Sequence, residues 1–93
     1  MVSPKMLDPL VDYTLRYIYS PRKVEENRIT RAYGDIFMSI ARELAERRGR
    51  RIRCKICGKV FKASSHVAKH YRYMHIEEIK YRLIESLEKR GGN

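Results

Sequence analysis

Residues Cys54 to His75 read CKICGKVFKASSHVAKHYRYMH. Two residues separate the cysteines, twelve separate Cys57 from His70, and four separate His70 from His75. A structural zinc ion takes four thiolate or imidazole ligands in a tetrahedron at about 2.0–2.3 Å. A CxxC at a tight turn presents two thiolates on one side, and two histidines about a helical turn apart present two imidazoles on the other. The twelve residues between them suffice to finish a hairpin and start a helix. Cys54, Cys57, His70 and His75 are therefore the candidate metal ligands, and Zn²⁺ is the expected ion. The chain has only these two cysteines, which fits a reduced compartment where thiols are spent on metal. A redox dithiol would want a βαβ context that the neighbouring sequence lacks. A His66–His70 ligand pair would leave only eight residues after Cys57 for a strand and a helix start. At about 100° per residue, His70 and His75 lie about 140° apart on a regular helix. An irregular, π-like or frayed turn is therefore expected near 71–75.

The residues between the ligands carry a resemblance. Ile52 stands two before the first cysteine, Phe61 four after the second, and Val67 three before the first histidine; Gly58-Lys59 follows Cys57. In these positions the stretch 52–75 resembles the Cys-Cys-His-His (C2H2) zinc finger family. The resemblance implies a ββα unit with Ile52, Phe61 and Val67 as its small core and one structural zinc. It also implies a helix that enters the DNA major groove and reads bases from the residue before the helix, the third and the sixth. With Ser64 as the first helical residue, those positions are Ala63, His66 and Lys69.

Elsewhere the hydrophobic pattern is helical. Asp8-Pro9 reads as a cap with proline at the first helical position, and Leu7, Val11, Leu15 or Thr14, and Ile18 recur on one stripe until Ser20-Pro21. Ile29, Tyr33, Ile36/Phe37, Ile40 and Leu44 predict a second helix over about 28–48, with Gly34 a weak point and Gly49 a C-cap. Residues 52–62 read as a hairpin turning at Gly58, and Ser64 or Ser65 as the cap of the next helix. Ile76, Ile79, Leu83 or Ile84, and Leu87 carry an apolar stripe toward the C-terminus. The expected fold is mostly α with one small ββα zinc finger and flanking amphipathic helices. It divides into a two-helix region (1–46), a basic linker arm (47–53), the finger (52–75) and a C-terminal helix and tail (76–93). No apolar run reaches the roughly 18 residues a membrane span needs, and the N-terminal stretch reads as no signal peptide. An intracellular protein is expected, nuclear in a eukaryote, cytoplasmic or nucleoid-associated in an archaeon or virus.

The charge is unevenly placed. The net charge of +10 comes entirely from 47–75, since 1–27, 28–46 and 76–93 each balance. That block holds Arg47, Arg48, Arg50, Arg51, Arg53, Lys55, Lys59, Lys62, Lys69 and Arg72 and no acid. Its self-repulsion points to a polyanionic partner; a solvated basic surface kept for solubility is the plainer alternative. Double-stranded DNA is the leading partner, with Lys69 and His66 able to donate to purine edges. Ala63 can offer only an apolar contact. Arg47, Arg48, Arg50, Arg51 and Arg53, as a flexible arm, and Lys55, Lys59, Lys62 and Arg72 are the candidate backbone contacts. The arrangement resembles single fingers with a basic flank, and also small finger proteins of archaea and their viruses. RNA is an alternative partner, because Tyr71 and Tyr73 could stack on bases. Contact with another protein, or a homodimer through the flanking helices, is a third reading. Four-ligand coordination leaves no open position for catalysis, and no nucleophile–base pair or phosphate loop stands elsewhere, so no enzyme is expected.

Overall fold

The computed structural model describes residues 4–62 and 64–91. Its elements are α1 (Pro4–Tyr19), a 3-10 turn (Pro21–Lys23), α2 (Arg28–Leu44), β1 (Ala45–Arg48), β2 (Arg51–Cys54), β3 (Val60–Phe61), α3 (Ser64–Met74) and α4 (Ile76–Gly91). This is a mostly α fold with one small antiparallel sheet of order β1-β2-β3.

α1 starts at Pro4 rather than at Asp8-Pro9, and Pro9 lies inside it. Ser3-Pro4 carries the same cap-plus-proline pattern five residues earlier. Pro9, in the second turn, gives up the bond that its N–H would make to the carbonyl of Lys5, and its ring crowds that carbonyl. Leu7, Leu10, Val11, Leu15 and Ile18 are all buried, and the Thr14 hydroxyl, also buried, donates to the Leu10 carbonyl at 2.8 Å. α2 is opened by a reciprocal cap. The Asn27 side chain accepts from the Thr30 N–H at 3.0 Å, and the Thr30 hydroxyl accepts from the Asn27 N–H at 2.8 Å. The Asn27 amide also donates to the Tyr13 hydroxyl, fastening the start of α2 to α1. Gly34, a weak point for helix propensity, lies where α1 comes close: a Cβ there would stand 3.2 Å from the Tyr17 hydroxyl.

The expectation that α2 runs to Arg48 fails. The helix stops at Leu44, the last member of its apolar stripe, and the chain enters β1 directly. β1 pairs antiparallel with β2, placing Ala45 opposite Cys54, Arg47 opposite Ile52 and Arg48 opposite Arg51. Gly49 is therefore not a helix cap but the first residue of the Gly49-Arg50 turn, at φ +60°, the glycine-first pattern of a type II′ hairpin. The expected basic arm over 47–53 is likewise a hairpin whose backbone is held by ladder hydrogen bonds. β2 and β3 form the second hairpin, with Ile52 opposite Phe61 and Arg53 opposite Val60.

One hydrophobic core joins all the layers. Leu7, Val11, Leu15, Phe37, Ile40 and Leu44 of the first two helices meet Ile52, Val67, Tyr71, Ile79 and Leu83. Tyr13 stacks on Phe37 with centroids 5.6 Å apart. α1 packs against α2, α3 and α4, so the apolar stripes that suggested a homodimer are covered within the chain. Ion pairs from Arg72 to Asp12, Arg82 to Glu43 and Arg90 to Asp35 tie α3 and α4 to the first two helices. No helix among the described residues is long and apolar enough to cross a membrane.

Candidate metal centre and the surface beside it

The CxxC sits where β2 ends. Cys54 is the last residue of β2, its N–H donating to the Lys59 carbonyl at 2.8 Å. The Gly58 N–H returns to the Cys54 carbonyl at 2.7 Å, and Gly58 takes φ +83°, the left-handed geometry that closes this knuckle. Cys54 thus points inward, fully buried, while Cys57 stands at the rim. α3 supplies His70 from the face that also carries the buried Val67 and Tyr71. The Phe61 ring lies 4.8 Å from that of His70, centroid to centroid. Ile52 and Val67 are buried and Phe61 is half-buried against the same core.

His75 completes the set. The expected irregularity is present but placed differently. The turn from Tyr71 to His75 keeps its α-helical bond, His75 N–H to Tyr71 carbonyl at 3.0 Å, so it is neither π-like nor frayed. The bend falls at His75 itself, between α3 and α4, and Ile79 bonds back across it to the His75 carbonyl. The bend reaims His75 while the His75 N–H keeps its helical bond. It leaves the His75 Nε2 3.1 Å from the His70 Nε2, which is itself 3.3 Å from the Cys57 Sγ. All four ligand atoms lie within 4.8 Å of one another. The edges of a tetrahedron with zinc-like bonds are roughly 3.3–3.8 Å. Two thiols and two imidazoles converging at this spacing suit one metal ion. Among the described residues no other group of three or more His, Cys, Asp or Glu side chains converges in this way. His66, the alternative ligand, is exposed and outside the cluster.

The local electrostatics favour the ligating forms. Burial, then the neighbouring His75 and Lys59, lowers the pKa of His70 and favours its neutral imidazole. Burial opposes ionisation of Cys54, yet hydrogen bonds outweigh it and the thiol's pKa falls below its ordinary value. The Tyr71 hydroxyl stands beside that sulfur, but its one proton goes to the Leu44 carbonyl at 2.5 Å. After the neighbouring Tyr71 hydroxyl, the backbone N–H groups of Cys57 and Ile56 and then the Cys57 thiol favour the Cys54 thiolate. Burial and then the neighbouring Cys54 hold the Tyr71 phenol protonated. The Leu44 carbonyl keeps a second donor, the Lys55 N–H at 2.9 Å. Tyr71→Phe therefore leaves no orphaned carbonyl, and is expected to cost only about 1 kcal/mol in urea unfolding, with metal content unchanged.

The base-contact candidates are partly visible. His66 and Lys69 are exposed on α3, three residues apart, and Tyr73 joins them on that face at 76% exposure. Ala63 lies outside the described residues, as do the side chains of Ser64 and Ser65, expected as caps. Tyr71, expected among stacking residues, is fully buried and unavailable.

The backbone-contact candidates separate into engaged and free cations. The Arg47 guanidinium donates to the Tyr19 carbonyl at 3.1 Å, and the Lys55 ammonium to the Arg42 carbonyl at 2.9 Å. Arg48 and Arg53 both pair with Glu46, at 2.9 and 3.4 Å, and Arg72 pairs with Asp12. Arg50, Arg51, Lys59, Lys62 and Lys69 are exposed and have no ion pair among the described residues. Strand alternation puts Glu46, Arg53 and Val60 on the outer face of the sheet, and Arg47, Ile52 and Phe61 on the face toward the helices. Comparison of the chain with family models, with curated proteins and with solved structures finds no match.

Proposed function

We propose that the protein is a small zinc-dependent protein that binds double-stranded DNA and regulates transcription. In this reading the metal unit is a single C2H2 finger. Its four ligands hold one structural zinc, and α3 enters the major groove with His66 and Lys69 toward the base edges. The observation that carries the reading is the pairing of two features on one small unit. A four-ligand cluster fixes α3, and α3 turns His66 and Lys69 to solvent next to a sheet bearing unpaired cations. A structural metal that orients a helix has no open coordination position, so its value lies in presenting that helix. The unpaired cations supply the sequence-independent share of affinity, on which a thin reading head depends.

The exposed Tyr73 beside His66 and Lys69 favours one second reading, single-stranded or structured RNA held by stacking.

Selection of bound duplexes from a random pool, with and without chelator, tests the proposal. The expected result is a short motif containing G that disappears on chelation. His66→Ala combined with Lys69→Ala should relax the motif, each good base contact being worth about 1–3 kcal/mol of discrimination. Binding that yields no motif would reduce the protein to a nonspecific DNA coater. Tighter binding of structured RNA than of duplex at matched salt would transfer the assignment to the second reading.

A further inference from the structure

By sequence, residues 1–27 carry no net charge and sit apart from the basic block. Folding changes that. The link after α1 lies against the tip of the β1–β2 hairpin, and the two line an open pocket of about 510 Å³. Arg22 and Lys23 line it from the link, Arg47 and Arg50 from the hairpin, and Lys62 from the segment entering α3. No acidic residue lines it. Tyr19 and Ile52 supply apolar wall, and Arg47 is held in place by the Tyr19 carbonyl at 3.1 Å. Five cations drawn from three separate parts of the chain repel one another, so a bound anion relieves a cost already present in the fold. The volume is in the range of sites that hold small organic ligands, room for a phosphate with part of its ester. Arginine recognises such a group through paired N–H donors.

We infer that this pocket is a phosphate-binding site, and that the phosphate is a backbone group of the bound nucleic acid. Lys62 stands two residues before α3, so the pocket adjoins the N-terminal end of the helix assigned to the groove. A strand lying on α3 can thus set a phosphate into the pocket and fix the register of the helix. The site itself rests only on the pocket; the source of its phosphate rests on the proposed DNA reading.

The test compares the full metal-loaded chain with Arg22→Ala/Lys23→Ala, both exposed residues outside the finger. An Arg28→Ala/Lys80→Ala variant removes the same charge away from the pocket. Two probes are titrated, a duplex from the selected pool and free tripolyphosphate. The pocket variant should bind duplex about tenfold to a hundredfold more weakly at 100 mM salt, with a salt slope lower by about 1.8. It should retain its metal and base preference and lose tripolyphosphate binding, while the control changes each by less than about threefold. If tripolyphosphate binding is lost but duplex binding is not, or native protein binds no duplex, the site holds a free polyphosphate and its assignment to DNA is overturned. Equal effects of the two variants on both probes would mean diffuse charge only, and would overturn the pocket altogether.

Discussion

Replacing Cys54 with Ser and His70 with Ala together is expected to abolish stoichiometric metal and to unfold one part of the molecule while sparing another. Both side chains sit in the core, Cys54 at 0% exposure and His70 at 8%. The layer they hold is thin. β3 is two residues long, and the segment from Lys55 to Lys59 contributes no side chain to the buried core. Structural zinc in isolated fingers contributes an apparent 10–16 kcal/mol or so to folding. Here α1, α2 and α4 keep apolar partners of their own, Leu7, Val11, Leu15, Phe37, Ile40, Ile79 and Leu83. α3 has Val67 and Tyr71 as its fully buried side chains besides the ligands. The expected signature is loss of roughly a fifth of the far-UV helical signal, the share of α3 among the helices, on metal removal. A loss of only about 3 kcal/mol would lower Tm by more than about 12 °C in a domain of this size. Metal analysis and circular dichroism check it directly. A native chain without one metal ion, or a double variant with an unchanged spectrum, would remove the basis for reading α3 as a metal-presented helix.

The parts of this fold that could be read from sequence are those whose signal is local. Four ligands at fixed spacing, with Ile52, Phe61 and Val67 at fixed offsets, define the centre because the whole set falls within one short run of chain, from β2 to the end of α3. The helical stripes of α1, α2 and α4 are legible because burial on one face imposes a 3.6-residue period. β1 was not legible for the opposite reason. Ala45-Glu46-Arg47-Arg48 is made of good helix formers, and only pairing with β2 turns it into a strand. The start of α1 is ambiguous in the sequence because Ser3-Pro4 and Asp8-Pro9 give the same signal. The Asn27–Thr30 cap leaves a readable pattern, an Asn three residues before Thr. Charge counting along the chain kept Arg22 and Lys23 in a neutral segment, whereas packing sets them beside Arg47 and Arg50. The angular mismatch of the histidines makes an irregularity near them legible, but not its place at His75 between α3 and α4.

On the proposed reading, duplex binding should fall by about 10³ between 50 and 200 mM salt if six cations meet phosphates, and the cations differ in whether they already have partners. Arg50, Arg51 and Lys59 have no ion pair among the described residues, so each can trade counterions for phosphate without first losing a partner. Replacing all three with Ala should lower the slope of log affinity against log salt by about 2.7. Arg72 is committed to Asp12, and Arg72→Ala should change the slope by less than a single contact's share. Glu46 gives the sharpest case, because its effect has the opposite sign. Its carboxylate occupies both Arg48 and Arg53 on the outer face of the sheet. Glu46→Gln would release two guanidinium groups and delete the nearest negative charge. The exposed pairs it breaks are worth at most about 1 kcal/mol each to stability. Affinity for duplex at 100 mM salt should therefore rise about fivefold to tenfold, with a slope steeper by up to 1.8 or so, although no cation has been added. Titration of native and Glu46→Gln protein across a salt series reads both quantities. An unchanged slope would mean that the outer face of the sheet points away from the duplex, and would confine the phosphate contacts to the hairpin tip, Lys62 and α3.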